Sequence, residues 1–431
     1  MALINKKLEF DTLKINGGYD SDAHARSVNV PIYQSAAFEF GDEARGERLF
    51  TNRELGFLYS RVGNPTVDAL EQRIAALHGA NAAISFASGM AAITNTLLQV
   101  GIGGSILTSY HLYGGTVDSF KKVYKDYGIR IDFSKNIYDP AKLEEDIKED
   151  TKAIYVETVS NPTTDVADLE ALAELAHKHN IPLIVDNTFA TPVNCRPIEF
   201  GCDIVTHSTT KYIDGHASSV GGAIIDSGNF DWMANKEKFP GLTTPDESYH
   251  GLTYATKFGK AAYITKATAQ LMRDFGCIQS PQNAYYIQLG LESLPVRMAR
   301  HCSNAQKVAE FLASDDRIAW VNYPGLETDK NHALAKKYCP KGTCGVLCFG
   351  VKGGREASIR FMDSLKLATI ATHVADSKTL LLHPASHTHR QLTDEQLAEA
   401  GIPADLIRFS VGLEDPDDII NDIKQALDKI G

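Results

Sequence analysis

The chain has 431 residues, a length that points to two or three domains. Its 43 Lys and Arg against 54 Asp and Glu leave a formal net charge of −11, which argues against the basic footprint of a nucleic-acid binder. With 43% apolar and 23% charged residues it can fill a large core and falls outside the disordered class. The longest apolar runs, such as Ile181-Pro-Leu-Ile-Val185, fall well short of the roughly 20 residues that cross a bilayer. The opening MALINKKLEF lacks the apolar stretch of a secretory signal. An acidic globular protein of the cytoplasm is expected, with neither a membrane nor a nucleic acid as partner. The seven cysteines include no CxxC pair, so they read as free thiols in a reducing compartment; even the Cys339, Cys344 and Cys348 cluster is expected to hold no metal.

In chain order, the first 60 residues carry Pro31, Gly17-Gly18 and no strong periodicity, and read as an arm that needs a partner surface. Ala82 to Ala87 reads as a strand ending at Ser88-Gly89, followed by a helix from Met90 to Val100. Ala153 to Glu157 is a second strand, closed by the Asn161-Pro162 breaker, and Asp168 to His179 has the apolar spacing of an amphipathic helix. Ile181 to Val185 is a third strand, ending at Asp186, and Cys202 to Thr206 a fourth, running into His207-Ser208. Strands alternating with helices predict an α/β fold with a mainly parallel central sheet covered by helices. The last third differs, with helices over Asn283 to Cys302 and Ser303 to Ala313 and short strands at Gly345 to Val351 and Leu380 to Leu382. The partition expected is an arm over 1–60, an α/β domain over 61–274 and a smaller α+β domain over 275–431.

Ligands of open α/β sheets sit beyond the carboxyl ends of the strands. Here those ends carry Ser88-Gly89, Asn161, Asp186-Asn187-Thr188 and Ser208-Thr-Thr-Lys211. An anion-binding turn, an amide, a carboxylate and an amine at successive strand ends fit pyridoxal phosphate (PLP) better than a dinucleotide. A Schiff-base lysine has to be desolvated or near positive charge to be neutral near pH 7, and Lys211 follows an apolar strand. Asp186 is the candidate to keep the pyridine nitrogen protonated. Ser88, Gly89 and Met90 open a helix, and Ser208 and Thr210 add hydroxyls for a phosphate. Each element alone is ordinary: a Ser-Gly before a helix is usually a cap, and a lone Lys is usually surface charge.

Together they form a known pattern. Ser208-Thr-Thr-Lys-Tyr-Ile-Asp-Gly-His216 with Gly221-Gly222 resembles the lysine motif of the Cys/Met-metabolism PLP enzymes, the cystathionine γ-synthase-like group. Tyr59-Ser-Arg-Val-Gly-Asn-Pro-Thr66, Ala87-Ser-Gly-Met90, Leu112-Tyr-Gly-Gly-Thr116, Glu157-Thr-Val-Ser-Asn-Pro162, Val185-Asp-Asn-Thr188, His383-Pro-Ala-Ser386 and Arg408-Phe-Ser-Val-Gly412 resemble its other motifs, in order. The resemblance implies a fold-type I PLP-dependent transferase without metal, with Lys211 as cofactor lysine and proton carrier and Asp186 as partner of the ring nitrogen. It implies that Tyr113 stacks on the ring, that Thr188 lies beside the cofactor, and that Ser88, Gly89, Met90, Ser208 and Thr210 cradle the phosphate. Tyr59 and Arg61 resemble the pair that reaches a neighbouring subunit's cofactor, which implies a homotetramer built from dimers that share active sites. Arg408 resembles the fork on the substrate carboxylate, and Asn161 the amide between cofactor and carboxylate.

The segments Asn229 to Trp232 and Pro245 to Gly251 resemble an insertion of the sulfhydrylase subgroup, and Gly115 replaces a cysteine typical of methionine γ-lyases. This implies γ-replacement on O-acetylhomoserine by sulfide or a small thiol, giving acetate and homocysteine, or methionine from methanethiol; a γ-lyase or a cystathionine γ-synthase is the alternative. His373, in a loop the resemblance places by the substrate carboxylate, stands where Asn or Ser is usual, and Ala375 where Gly is usual.

Overall fold

The computed structural model describes residues 8–51, 53–390 and 392–430; residues 1–7 and Asn52 of the expected arm lie outside them. The strands are β1 (Ala82–Phe86), β2 (Gly104–Thr108), β3 (Ile129–Phe133), β4 (Thr151–Glu157), β5 (Leu183–Asp186), β6 (Ile204–His207), β7 (Gly222–Asp226), β8 (Ile318–Asn322), β9 (Val346–Val351), β10 (Thr369–Ile370), β11 (Leu380–Leu382) and β12 (Ile407–Ser410). The chain groups into two compact units that interleave along the sequence. One takes the chain up to Val100 with Asp203–Thr210 and Ser218–Glu292; the other takes Gly101–Cys202, Lys211–Ala217 and Ser293–Gly431.

In the first unit β7 pairs antiparallel with both β1 and β6. The helix Pro65–His78 packs on β1 through Leu70, Ile74 and Leu77, all nearly inaccessible. It starts where Asn64 accepts the Thr66 N–H and Pro65 fills the first turn, and it stops at Gly79 in the left-handed region, φ 63°. Its last residue, His78, meets His207 at the end of β6, Nε2 to Nε2 3.0 Å, with both rings buried. Among its described residues the expected arm contains the short α-helices Phe10–Asn16 and Glu43–Phe50 and a 3-10 turn at Ser21–His24, which aperiodic sequence does not announce. Val28, Phe50 and Leu55 on it are 100%, 70% and 92% exposed.

In the second unit β5, β4, β2 and β3 lie side by side, all parallel. β4 and β5 are buried along their whole length, as strands covered on both faces must be. β5 begins at Leu183, two residues later than the apolar run suggests. A second sheet runs β10-β11-β12-β9-β8, antiparallel apart from the first pair. Its core gathers Leu347, Phe349, Phe361, Phe409, Ile419 and Ile423. The two helices expected between Asn283 and Ala313 are one, Pro281–Ser314, with Pro295 inside it. Its buried residues Ile287, Leu291, Leu294, Met298, Cys302 and Ala305 keep a three-to-four spacing through the proline, so one apolar stripe outweighs the missing hydrogen bond. Six of the seven cysteines are buried, Cys277 is half-buried, and all are free thiols.

Burial depresses the His207 pKa to about 3. A histidine that is neutral in the fold stabilises it while the unfolded chain is also neutral. That stabilisation is lost as pH falls below about 6.5 and the unfolded chain binds the proton first, down to the folded value. His207→Gln should therefore flatten the acid loss of stability in denaturant titrations between those limits, by about 1 kcal/mol per pH unit. An unaltered slope would show that His207 does not carry it.

Candidate active site

Because β2, β4 and β5 are parallel and adjacent, their carboxyl ends open on one edge of the sheet. Glu157, last in β4, stands in register with Asp186, last in β5. Both are largely buried. Asp186 Oδ1 accepts the Thr188 N–H at 2.9 Å, and Oδ2 lies 3.5 Å from the Tyr155 hydroxyl. Glu157 uses both oxygens: Oε1 accepts the Tyr113 N–H at 2.7 Å and Oε2 the Asn161 N–H at 2.8 Å. One buried carboxyl thus fastens the loop after β2 to the loop after β4. Burial, with the Asp186 charge beside it, pushes the Glu157 carboxyl well above the usual range.

Tyr113, at the start of the helix Gly114–Lys122, is 39% exposed, an aromatic residue open to a stacking partner. A Cβ on Gly115 would fall 2.6 Å from that ring, so only glycine allows the ring this position. Arg408 projects from β12, which is flanked by β11 and β9. Its Nη1 donates to Asn161 Oδ1 and its Nη2 to the His373 carbonyl, each at 3.2 Å. Nε has no hydrogen-bond partner among the described residues, although the side chain is buried. Burial brings the guanidinium pKa down to about 9. Lys211 Nζ lies 3.2 Å from His373 Nδ1. Burial, and then the Arg408 charge, lower its pKa to about 8, so a sizeable neutral fraction exists near pH 7.

The first unit carries a set of its own. Ser88 opens the helix Gly89–Val100 and its hydroxyl accepts the Ala91 N–H at 3.1 Å, an ordinary cap that leaves the neighbouring backbone donors of the first turn to an anion. A Cβ on Gly89 would lie 2.8 Å from Ser208 Cβ, and one on Gly222 2.1 Å from the Ser88 carbonyl oxygen. These glycines let the Ser88–Met90 turn press against Ser208. The Thr210 hydroxyl is engaged with the Gly221 backbone, donating to its carbonyl at 3.2 Å and accepting its N–H at 3.0 Å. Arg61 lies over the exposed Tyr59 ring, 5.4 Å from its centroid, and donates to the Arg273 carbonyl.

Each unit by itself carries groups that suit PLP: the first a tight glycine turn with hydroxyls for a phosphate, the second a buried carboxylate for the ring nitrogen, an aromatic face, and an amine with depressed basicity. Glu157 opens the motif Glu157-Thr-Val-Ser-Asn-Pro162, which does not by itself give it a role. The signal was present, since β4 and β5 share the pattern of an apolar run ending in an acid. The histidines of His383 to His389 serve the loop that carries them: His383 bonds Ser386 and the Ala404 carbonyl, and His387 the His383 carbonyl.

The family model described as Cys/Met metabolism PLP-dependent enzyme matches residues 11–428. The homocysteine synthase of Schizosaccharomyces pombe is 45% identical, with 97% of this chain and 98% of that protein aligned. The O-acetyl-L-homoserine sulfhydrylase 1 of Thermus thermophilus is 41% identical over 97% of this chain and 100% of its own length. A Campylobacter jejuni crystal structure containing N′-pyridoxyl-lysine-5′-monophosphate superposes with a TM-score of 0.94 at 40% identity, covering 98% of this chain and 100% of the other. The fold is that of a PLP-dependent transferase, and the chain belongs to the Cys/Met-metabolism PLP-dependent enzymes.

Proposed function

We propose that this chain catalyses γ-replacement on O-acetylhomoserine, releasing acetate and adding sulfide, or a small thiol, to form homocysteine or the corresponding thioether. The observation that carries the reading is the pairing of a Lys211 amine lowered to about 8 with a buried Arg408 that no acidic side chain neutralises among the described residues. A buried guanidinium bonded only to neutral oxygens is suited to an incoming carboxylate. Relatives named homocysteine synthase and O-acetyl-L-homoserine sulfhydrylase, aligned over nearly their whole length, support the same chemistry. Gly115 supports it against a γ-lyase, because a cysteine there would collide with Tyr113 as it stands.

In this reading, Ser88, Gly89, Met90, Ser208 and Thr210 hold the PLP phosphate, Thr210 chiefly by fixing the Gly221 backbone. Tyr113 stacks on the ring, Asp186 keeps the ring nitrogen protonated, and Thr188 steadies that carboxylate through its N–H. When bound, PLP supplies an electron sink for the charge that develops at the substrate Cα. Lys211 takes the Cα proton and carries protons at Cα and Cβ, so that acetate can leave Cγ and sulfide add there. Arg408 grips the α-carboxylate. Asn161, its amide oxygen taken by Arg408, turns its NH₂ donors toward cofactor and substrate. Tyr59 and Arg61, with the exposed apolar residues of the arm, support a partner subunit completing each site, in dimers that pair into a tetramer in the cytoplasm.

Purified protein given PLP, O-acetylhomoserine and sulfide should form homocysteine only when sulfide is present. Ketoacid without sulfide, or cystathionine with cysteine in its place, would overturn the sulfhydrylase reading. Lys211→Ala should lower turnover roughly 10²–10⁴-fold while leaving assembly intact by light scattering. Arg408→Lys should raise KM for the amino acid by about tenfold or more, since an ammonium cannot reproduce the fork; an unchanged KM would remove Arg408 from the carboxylate site.

A further inference from the structure

We propose that the His373 side chain is a positioning residue for Lys211: its Nδ1 accepts the hydrogen bond of the Lys211 amine, and Asp376 on its far side fixes the tautomer that makes this possible. The inference rests on the reading of Lys211 as the cofactor lysine and deepens it.

Three geometric facts carry it. His373 Nδ1 lies 3.2 Å from Lys211 Nζ, and an amine can only donate to it if Nδ1 presents a lone pair. His373 Nε2 faces Asp376 Oδ2 at 3.8 Å, and neither atom makes a hydrogen bond to any described residue. Asp376 is itself buried, and its Oδ1 is held by the Lys378 N–H at 2.9 Å and the Ser377 hydroxyl at 3.3 Å. A fixed carboxylate facing Nε2 places the ring proton there and leaves Nδ1 as the acceptor, the logic by which a carboxylate orients a catalytic imidazole. Burial and the neighbouring Lys211 charge also lower the His373 pKa to about 4, so the ring is neutral wherever the enzyme would work.

The same residue touches the carboxylate grip by a different atom. Its backbone carbonyl accepts Arg408 Nη2, and a side-chain substitution leaves that bond available. Changing the imidazole should therefore alter the amine without altering the fork. A neutral acceptor favours the ammonium form of Lys211, so its removal into an apolar pocket lowers the lysine pKa further. The charged groups around the imidazole are Lys211, Asp376, Asp214 and Arg408, and none of them is changed by the substitution.

The test is acetic anhydride labelling of Lys211 against pH, in full-length protein freed of cofactor, with the labelled peptide read by mass spectrometry. His373→Leu should move the midpoint down by about one pH unit, and His373→Asn, whose amide oxygen can accept, should return it. In the reloaded enzyme the pH profile of kcat should shift in the same direction, with KM for O-acetylhomoserine within about twofold of the parent. Should His373→Leu fail to fold, His373→Met carries the same expectation. A midpoint unchanged or raised in the apolar variant overturns the inference. Borohydride reduction of the parent holoenzyme separates the two readings. Cofactor fixed to another lysine defeats the site assignment itself, whereas cofactor fixed to Lys211 with an unmoved midpoint defeats only the role of His373.

Discussion

A buried guanidinium organises this molecule's chemistry. Among the described residues, Arg408, 2% exposed, is bonded only to the Asn161 amide and the His373 carbonyl, so its charge is desolvated without a fixed counter-charge there. An isolated cation in such a place is costly, and the fold tolerates it by mounting it on β12, inside a sheet that holds it from both sides. The positive field then acts on its surroundings and contributes to the weakened basicity of Lys211. In the proposed site one residue thus attracts the substrate's acid group and helps make the base.

Opposite signs of the same physics meet at the ends of β4 and β5. Two carboxyl groups stand in register, and only one of them has a proton-holding task in the proposed site. Burial and the Asp186 charge make Glu157 hard to ionise, while two backbone N–H groups compensate it. Its use is mechanical: the loops carrying Tyr113 and Asn161 are tied to one atom group on a rigid strand, which sets the spacing between the stacking ring and the amide.

Much of this was legible in the sequence. The strands ending at Phe86, Glu157, Asp186 and His207 announced themselves as apolar runs closed by polar turns, and they locate Lys211 and Asp186 without coordinates. β2 was not legible, because Gly-Ser-Ile-Leu-Thr has little apolar pattern. It is a strand because it pairs with β3 and β4, and because Ser105 lies 3.4 Å from the Thr151 hydroxyl. The break expected between Cys302 and Ser303 errs in the other direction, splitting a helix that long-range burial holds together. The roles of Glu157 and Asp376 were hidden for a simpler reason. Each depends on which atom faces which, and spacing along a chain carries no such information.

The free cysteines take on a meaning once sulfide is the proposed nucleophile. Burial raises the thiol of Cys302 to about 12 and pushes those of Cys344 and Cys348 upward as well. The thiolate is the reactive form, and these side chains scarcely populate it. A catalyst that works in a stream of soft nucleophiles, and of any oxidised sulfur that accompanies them, therefore keeps these sulfur atoms chemically silent and leaves the carbon–sulfur bond to be made only on the substrate.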